Sequence, residues 1–340
     1  MGFGSDNHSG VHPRVLDALI AANSGHVSSY GADPFTEKAQ EMVKEQFGDQ
    51  AQVFFVLTGT GANVLSVQAS CRSFEAVIAT DAAHLYCDEC GAVERMTGCR
   101  VATVPHQQGK LSPEGLLSQL KRVGDVHSSQ PRLVSITQST ELGTVYQPDE
   151  IKALAEITKS RNLFLHVDGA RLSNAAAALE CRFADITAAC GVDLVSLGGT
   201  KNGMMVGEAV VVLNPALGES FPWYRKQSMQ LASKMRYISA QFSAWLEDDL
   251  WRKNALNANR MAQRLATGAS QLEQVEILYP VEANEIFARL PRQWIDPLVA
   301  KYNFYEWEAS LNQVRWVTSW DTQEQDVDAL LHDMQLLASS

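Results

Sequence analysis

Phe164-Leu165-His166-Val167-Asp168-Gly169-Ala170-Arg171 reads as a hydrophobic strand that ends on a carboxylate, with a guanidinium three residues further on. Downstream, Val192-Ser196 is a second such strand, and Leu197-Gly198-Gly199-Thr200-Lys201-Asn202-Gly203 follows it directly. These two belong to a longer series of strand-like runs: Val53-Leu57, Ala76-Ala79, Arg100-Val104, Leu133-Thr137, Leu163-Val167, Leu194-Leu197 and Ala209-Leu213. Helix patterns separate them, among them Gly61-Ser70, Pro113-Arg122 and Asp149-Lys159. Strands alternating with helices predict an α/β fold, a mainly parallel sheet covered by helices on both faces.

The pattern changes after Phe221. Trp223-Asn254 reads as one or two long helices and Leu256-Leu272 as another, followed by strand candidates Glu276-Leu278, Glu285-Leu290, Tyr305-Ala309 and Val314-Ser319. A final helix is predicted from Asp321, which has Glu324 three residues on as a capping pair. The division expected is a large α/β domain over residues 1–245, including the N-terminal segment, and a small C-terminal α+β domain over 246–340.

The chain has 340 residues, with 28 Lys plus Arg against 39 Asp plus Glu, so its formal charge of −11 repels polyphosphate backbones and anionic lipid. Neither nucleic acid nor membrane is an expected partner. No apolar run approaches the ~18 residues of a membrane helix, and Met1-Gly10 lacks the basic start and apolar core of a secretory signal. A cytoplasmic protein is expected. Six cysteines are too few for a disulfide scaffold; Cys87 and Cys90 form a C-x-x-C without a second ligand pair, so no metal site is expected and they are taken as buried thiols.

Four places carry chemistry. A lone Lys201 between glycine-containing turns, at the end of a buried strand, reads either as a reactive amine or as a lysine of a flexible surface loop. Asp168 at the end of its own strand would face the same cleft, because ligands of open α/β sheets bind outside the carboxyl ends of strands; its alternative is a helix N-cap. A lysine and a carboxylate converging in this way suit pyridoxal phosphate, whose aldehyde condenses with an amine and whose pyridine nitrogen stays protonated beside an acid. Thr58-Gly59-Thr60-Gly61-Ala62-Asn63 follows a strand and opens a helix, offering backbone amides to a phosphate, although an ordinary strand-to-helix turn looks the same. His84, in Asp81-Ala82-Ala83-His84, could stack on a planar cofactor or serve structurally.

Taken together, Ser5-Asp6-Asn7, Tyr30-Gly31, Thr58-Asn63, His84, His166-Arg171, Gly198-Gly203 and Val314-Arg315-Trp316-Val317 resemble the low-specificity threonine aldolases, within the threonine aldolase and β-eliminating lyase group of fold-type-I pyridoxal phosphate enzymes. The similarity runs over nearly the whole chain. It implies pyridoxal 5′-phosphate joined covalently to Lys201, paired through its ring nitrogen with Asp168, stacked by His84 and bound at its phosphate by Gly59 and Thr60. It implies that Ser5, Arg171 and Arg315 hold the substrate carboxylate. It further implies a homodimer or homotetramer with the active site at the subunit interface, so that Tyr30 and Arg225-Lys226 act from a neighbouring chain. The implied reaction is retro-aldol cleavage of β-hydroxy-α-amino acids, such as L-threonine, L-allo-threonine and phenylserine, to glycine and an aldehyde. The alternative is a β-eliminating lyase acting on aromatic or sulfur amino acids.

One run departs from the group. Many members carry Asn-Thr-His-Asn after the strand that precedes the Asp strand, and here the corresponding run is Gln138-Ser139-Thr140-Glu141, with Thr140 at the place of the histidine. A hydroxyl cannot replace imidazole as a base at neutral pH. His84 or a phosphate-bound water is then left to deprotonate the β-hydroxyl.

Overall fold

The computed structural model describes residues 2–339; Met1 and Ser340, which open and close the two expected domains, lie outside the described residues. Seven strands form the main sheet: β1 (Gln52–Val56), β2 (Glu75–Thr80), β3 (Arg100–Val104), β4 (Gln130–Thr137), β5 (Phe164–Gly169), β6 (Leu194–Gly198) and β7 (Glu208–Val212). Their order is β1-β7-β6-β5-β4-β2-β3, and the neighbours from β6 through β3 run parallel. Only β7 is reversed, antiparallel to both β1 and β6. The reason lies in the connection: parallel neighbours need a crossover of a dozen or more residues, and the link between β6 and β7 holds only the short turn Thr200–Asn202. The α/β class read from the alternating runs is therefore the observed one.

Strands β5, β6 and β7 are buried along nearly their whole length, as expected for strands covered on both faces. Val167, Val195, Leu197, Ala209 and Val211 face one large core with Phe183, Phe242, Trp245 and Trp251. The registers Thr137↔Asp168, Asp168↔Ser196 and Gly198↔Glu208 set the functional ends of four strands side by side. Glycine permits this approach. A Cβ on Gly198 would stand 2.6 Å from the Ala170 carbonyl oxygen and 2.7 Å from its Cα, both backbone atoms that cannot swing aside. Gly198→Ala is expected to cost about 1–3 kcal/mol by overpacking, and to loosen the Lys201 turn against the Asp168 strand. Urea denaturation of the variant checks the first effect and ligand titration the second.

A second sheet, of order β10-β11-β9-β8, is antiparallel and comprises β8 (Glu276–Ile277), β9 (Glu285–Arg289), β10 (Tyr305–Glu308) and β11 (Gln313–Val317). It packs with helices Leu250–Ala269, Arg292–Tyr302 and Glu324–Ala338 around Trp294, Trp316 and Phe304. The division near residue 245 into units 1–245 and 246–340 stands as our proposal. It is supported by the turn at Glu247–Asp249, where Asp248 and Asp249 are left-handed (φ 54° each). The N-terminal segment bridges the two units: Phe3 packs in the second core, its N–H bonds Tyr302 O (2.9 Å) and its carbonyl accepts from Val317 N–H (2.7 Å).

Two sequence readings need correction here. The span 223–254 is broken into helices Phe221–Gln227 and Arg236–Leu246 and the start of Leu250–Ala269, because Met229 and then Asp248–Asp249 take left-handed backbone that an α-helix cannot continue. The last helix begins at Glu324, with Gln323 and Asp326 as its capping pair. Asp321 is occupied elsewhere, accepting from the Ser9 and Ser319 hydroxyls at 2.7 and 2.8 Å.

Candidate active site

At the carboxyl ends of β1, β4, β5 and β6 lies a cavity of about 360 Å³, lined by Thr58, Gly59, Thr60, His84, Asp168, Arg171 and Lys201, and also by Asn63, Glu89, Glu141 and Glu208. A second cavity of about 500 Å³ adjoins it, sharing His84, Glu141, Arg171 and Lys201 and reaching Ser5, Arg315, Tyr279 and Trp307. The structure thus brings together Lys201, Asp168, His84, Gly59, Thr60, Arg171, Ser5 and Arg315, and leaves Tyr30, Arg225 and Lys226 outside both cavities.

Lys201 sits in a single 3₁₀ turn between Gly199 and Gly203, the latter with φ 95°. That turn is fixed from both sides. Trp245 Nε1 donates to Asn202 Oδ1 (2.8 Å), Asn254 Nδ2 donates to the Asn202 carbonyl (2.9 Å), and the Gly199 N–H donates to Glu208 Oε2 (3.2 Å). The surface-loop alternative for Lys201 is removed, since its turn is anchored in the core and its side chain lines the cavity. The amine itself makes no hydrogen bond or ion pair among the described residues, although its charge acts on Asp6, His84 and Glu208.

Asp168 is 5% exposed and accepts from Asn63 Nδ2 (2.8 Å) and the Ala170 N–H (3.1 Å). The same Asn63 amide donates to Glu89 Oε1 (2.8 Å), which also bonds His84 Nδ1 (2.9 Å). The Glu89 bond, opposed by desolvation and aided by Asp168, raises the His84 pKa above its ordinary value. The helix Gly59–Ser70 begins at the cavity; Thr58 caps it by accepting from the Gly61 N–H (3.0 Å), and a Cβ on Gly59 would meet nothing within 4 Å. The turn therefore keeps an open approach to the first amides of the helix.

The two arginines share one acid. Arg171 donates through Nε and Nη2 to the two oxygens of Asp6 (2.7 and 3.1 Å), and its Nη1 stands 3.1 Å from Glu285 Oε2. Arg315 Nη1 lies 3.8 Å from the other Glu285 oxygen, and its guanidinium rests over Tyr305 and Trp307. Burial would push the Asp6 carboxyl up, but the charge of Arg171, then that of Lys201, outweighs it and leaves the pKa lowered. Ser5 accepts from the Asn7 N–H and lines only the larger cavity.

Tyr30, Arg225, Lys226 and His166 stand apart from the cavities. Tyr30 is half-exposed with φ 59°, and the Lys226 ammonium lies 4.7 Å from its ring centre. Arg225, on the helix Phe221–Gln227, reaches across to β1 and donates to the Phe55 carbonyl (3.3 Å), and its partial burial lowers its pKa to about 10. His166 is fully buried between the Ser135 and Ser196 hydroxyls (2.9 Å each); desolvation takes its pKa down to about 4, so it is a neutral structural residue. Cys87 and Cys90, expected as buried thiols, are exposed and free, because the short helix His84–Cys87 and the turn after it run along the surface.

Sequence reasoning missed five acids, Asp6 among them, which was quoted only within the Ser5-Asp6-Asn7 run. Glu208 and Glu285 had a signal, each a lone carboxylate opening a strand of otherwise apolar character, Glu208-Ala209-Val210-Val211-Val212 and Glu285-Ile286-Phe287. Glu89 sits in a polar turn with no distinguishing context. Glu141 lay one residue beyond the position given to the histidine of the group. Thr140, which was placed there, is wholly buried, its hydroxyl engaged with Thr144 (2.8 Å), and it lines neither cavity.

The sheet, its reversed β7 and the lysine-bearing turn define the fold-type-I class of enzymes. Within that class the chain belongs to the beta-eliminating lyase family, whose model matches residues 2–292, and it is a lyase. It is 41% identical to the low specificity L-threonine aldolase of Pseudomonas sp. (strain NCIMB 10558), with 99% of this chain and 98% of the relative aligned. It is 29% identical to the low specificity L-threonine aldolase of Escherichia coli K12 over 81% of this chain and 80% of that protein. Among solved structures, Leishmania major threonine aldolase superposes with a TM-score of 0.92 at 30% identity, covering 99% of both chains.

Proposed function

We propose that this protein cleaves β-hydroxy-α-amino acids, L-threonine and L-allo-threonine among them, to glycine and an aldehyde, with pyridoxal 5′-phosphate as its cofactor. The observation that carries this reading is the convergence of a lysine amine unpaired among the described residues, a strand-end carboxylate and two arginines on one pair of joined cavities. The residues fit the cofactor. The amides of Gly59 and Thr60 at a helix N-terminus suit a phosphate, Asp168 suits a protonated ring nitrogen, His84 offers a flat face and Lys201 an amine. Asn63 Oδ1 and Glu89 Oε2 are buried in the same place without a partner. When bound, the cofactor supplies an electron sink for the pair left on Cα as Cα–Cβ breaks.

The remaining work falls to the protein's own groups. Arg171 and Arg315 bind the substrate carboxylate, with Ser5 beside them, and so fix rotation about the N–Cα bond to select which bond is cleaved. Two of the five N–H donors of Arg171 are spent on Asp6, leaving others for a carboxylate. Because this clamp reads only the carboxylate, several β-substituents are accepted. Tyr279 and Trp307 in the larger cavity support an aromatic one, as in phenylserine. We further read the protein as a cytoplasmic homo-oligomer with Tyr30 and Lys226 near a neighbour's site; the exposed Trp223 and Met229 support this. Among the described residues no helix is long and apolar enough to cross a membrane.

Product analysis tests the proposal. Purified protein supplied with pyridoxal phosphate is expected to release aldehyde and glycine in equal amounts from threonine, allo-threonine and phenylserine. Pyruvate and ammonia would instead mark β-elimination.

A further inference from the structure

Glu141 is the one acid in the joined cavities whose place suits it to substrate chemistry and which the foregoing mechanism leaves unused. Its Oε1 accepts from the Thr137 hydroxyl (2.6 Å) and from the backbone N–H of His84 (2.8 Å), which pins the carboxylate between the end of β4 and the start of the His84 turn. Its Oε2 is buried with no hydrogen-bond partner. The residue lines both cavities, where the lysine and the arginine that flank the substrate's amino and carboxylate ends also lie. Of the nearby side chains, Thr140 is buried out of reach, and His84 is tied through Nδ1 to Glu89.

We propose that Glu141 takes the β-hydroxyl proton of the substrate on Oε2. This rests on the aldol-cleavage reading above and assigns the base that reading lacks. In the step, the substrate O–H bond breaks and its proton passes to the Glu141 carboxylate. The electron pair of that bond forms the aldehyde C=O while the Cα–Cβ pair passes to Cα. With pyridoxal phosphate as the sink, Cα then takes a proton from water to give glycine, and Glu141 returns its proton to water. Net atoms and charge balance.

The electrostatics agree with the geometry. Burial raises the Glu141 pKa, hydrogen bonds from Thr137 and His84 lower it, and the nearby Asp168 raises it, leaving it at about 7. The charged and titratable groups around it are Asp168, Arg171, Cys87, Tyr146, His84 and Lys201. A base poised near the working pH is the efficient kind.

The test compares wild type, Glu141→Gln and Glu141→Asp. In Glu141→Gln the kcat for threonine cleavage is expected to fall roughly 10²–10⁴-fold, with KM and the absorbance of bound pyridoxal phosphate little changed and the Glu141 contribution to the pH profile near 7 removed, leaving those of His84 and Glu208. Glu141→Asp should keep part of the activity and of that contribution. A second readout needs no cofactor. Because the folded-state pKa is raised, this group stabilises the fold below its ordinary value of 4.5, and that contribution is lost as pH rises through about 7. The apoprotein's thermal midpoint should therefore fall over that window in wild type and fall less in Glu141→Gln. Wild type that cleaves threonine beside a Glu141→Gln variant within about threefold of it overturns the assignment of Glu141 alone. Wild type that binds no pyridoxal phosphate or releases no aldehyde overturns the underlying reading and the assignment with it.

Discussion

Lys201→Ala is expected to abolish both the covalently held cofactor and threonine cleavage, with activity down roughly 10⁴-fold or more, about 5.4 kcal/mol of barrier at about 1.36 kcal/mol per decade. The loss is chemical in origin. Among the described residues the Lys201 amine makes no hydrogen bond or ion pair, so its removal breaks no direct contact and withdraws only the charge felt by Asp6, His84 and Glu208. The turn that bears it is held by Asn202 through Trp245 and Asn254, and by Glu208 through the Gly199 amide. The variant should therefore fold, with a denaturation midpoint near that of wild type. Lys201→Arg separates charge from nucleophilicity: a guanidinium keeps the positive charge facing Asp6 and Glu208 but stays protonated and cannot condense with an aldehyde. Absorbance after borohydride treatment, followed by protein mass, is the measurement. Wild type should retain the cofactor's mass and both variants should lose it. Retention in Lys201→Ala would place the attachment elsewhere.

Arg171→Leu combines a stability loss with a binding loss. Asp6 and Glu285 are 2% and 1% exposed, and the Arg171 guanidinium is the principal charge that compensates them. Removing one partner of a buried ion pair typically costs about 3–5 kcal/mol, because the other charge stays buried without compensation. Arg315 cannot take over, since its nearest contact to Glu285 is 3.8 Å and it has no contact with Asp6. The cost depends on pH with a defined sign. The Asp6 pKa is lowered in the folded protein, so its paired carboxylate contributes stability above its ordinary value of 3.8, a contribution lost as pH falls through the depressed value. Urea denaturation should thus show the largest deficit of Arg171→Leu at neutral pH and a smaller one toward pH 4, where Asp6 can be protonated in the variant. In whatever fraction folds, substrate KM should rise while the cofactor stays bound. An unchanged KM would move the carboxylate clamp away from Arg171.

How far the site was legible follows from how each residue acts. Lys201, Asp168 and the Gly59-Thr60 turn announce themselves because the chemistry demands an unusual residue in a strict local context: a lysine among glycines at a strand's end, an acid closing an apolar strand, small residues opening a helix. The carboxylate-binding roles of Arg171 and Arg315 came only from the family resemblance, since a guanidinium looks the same in sequence whether it binds substrate or decorates a surface. Asp6, Glu89, Glu141 and Glu285 were not distinguished as site acids, because what marks them is burial beside a particular partner more than fifty residues away for Asp6–Arg171, Glu141–His84 and Glu285–Arg171. The His84–Glu89 pair is close in sequence but bends out of a polar turn that has no periodic signature.

By itself the sequence determined the α/β class, the seven main strands within a few residues, and the lysine and aspartate that meet at their ends. Those features are set locally, by the spacing of apolar residues and by glycines whose backbone freedom is needed where they stand. Only the tertiary structure decided that Thr140 is buried while Glu141 faces the cavity, and that two arginines share Glu285 with Asp6 locking one of them. Each of these depends on which distant segments come into contact. Register between strands, the space left once a core has packed, and the charge that a buried carboxylate meets are properties of the assembled chain, and no stretch of it carries them alone.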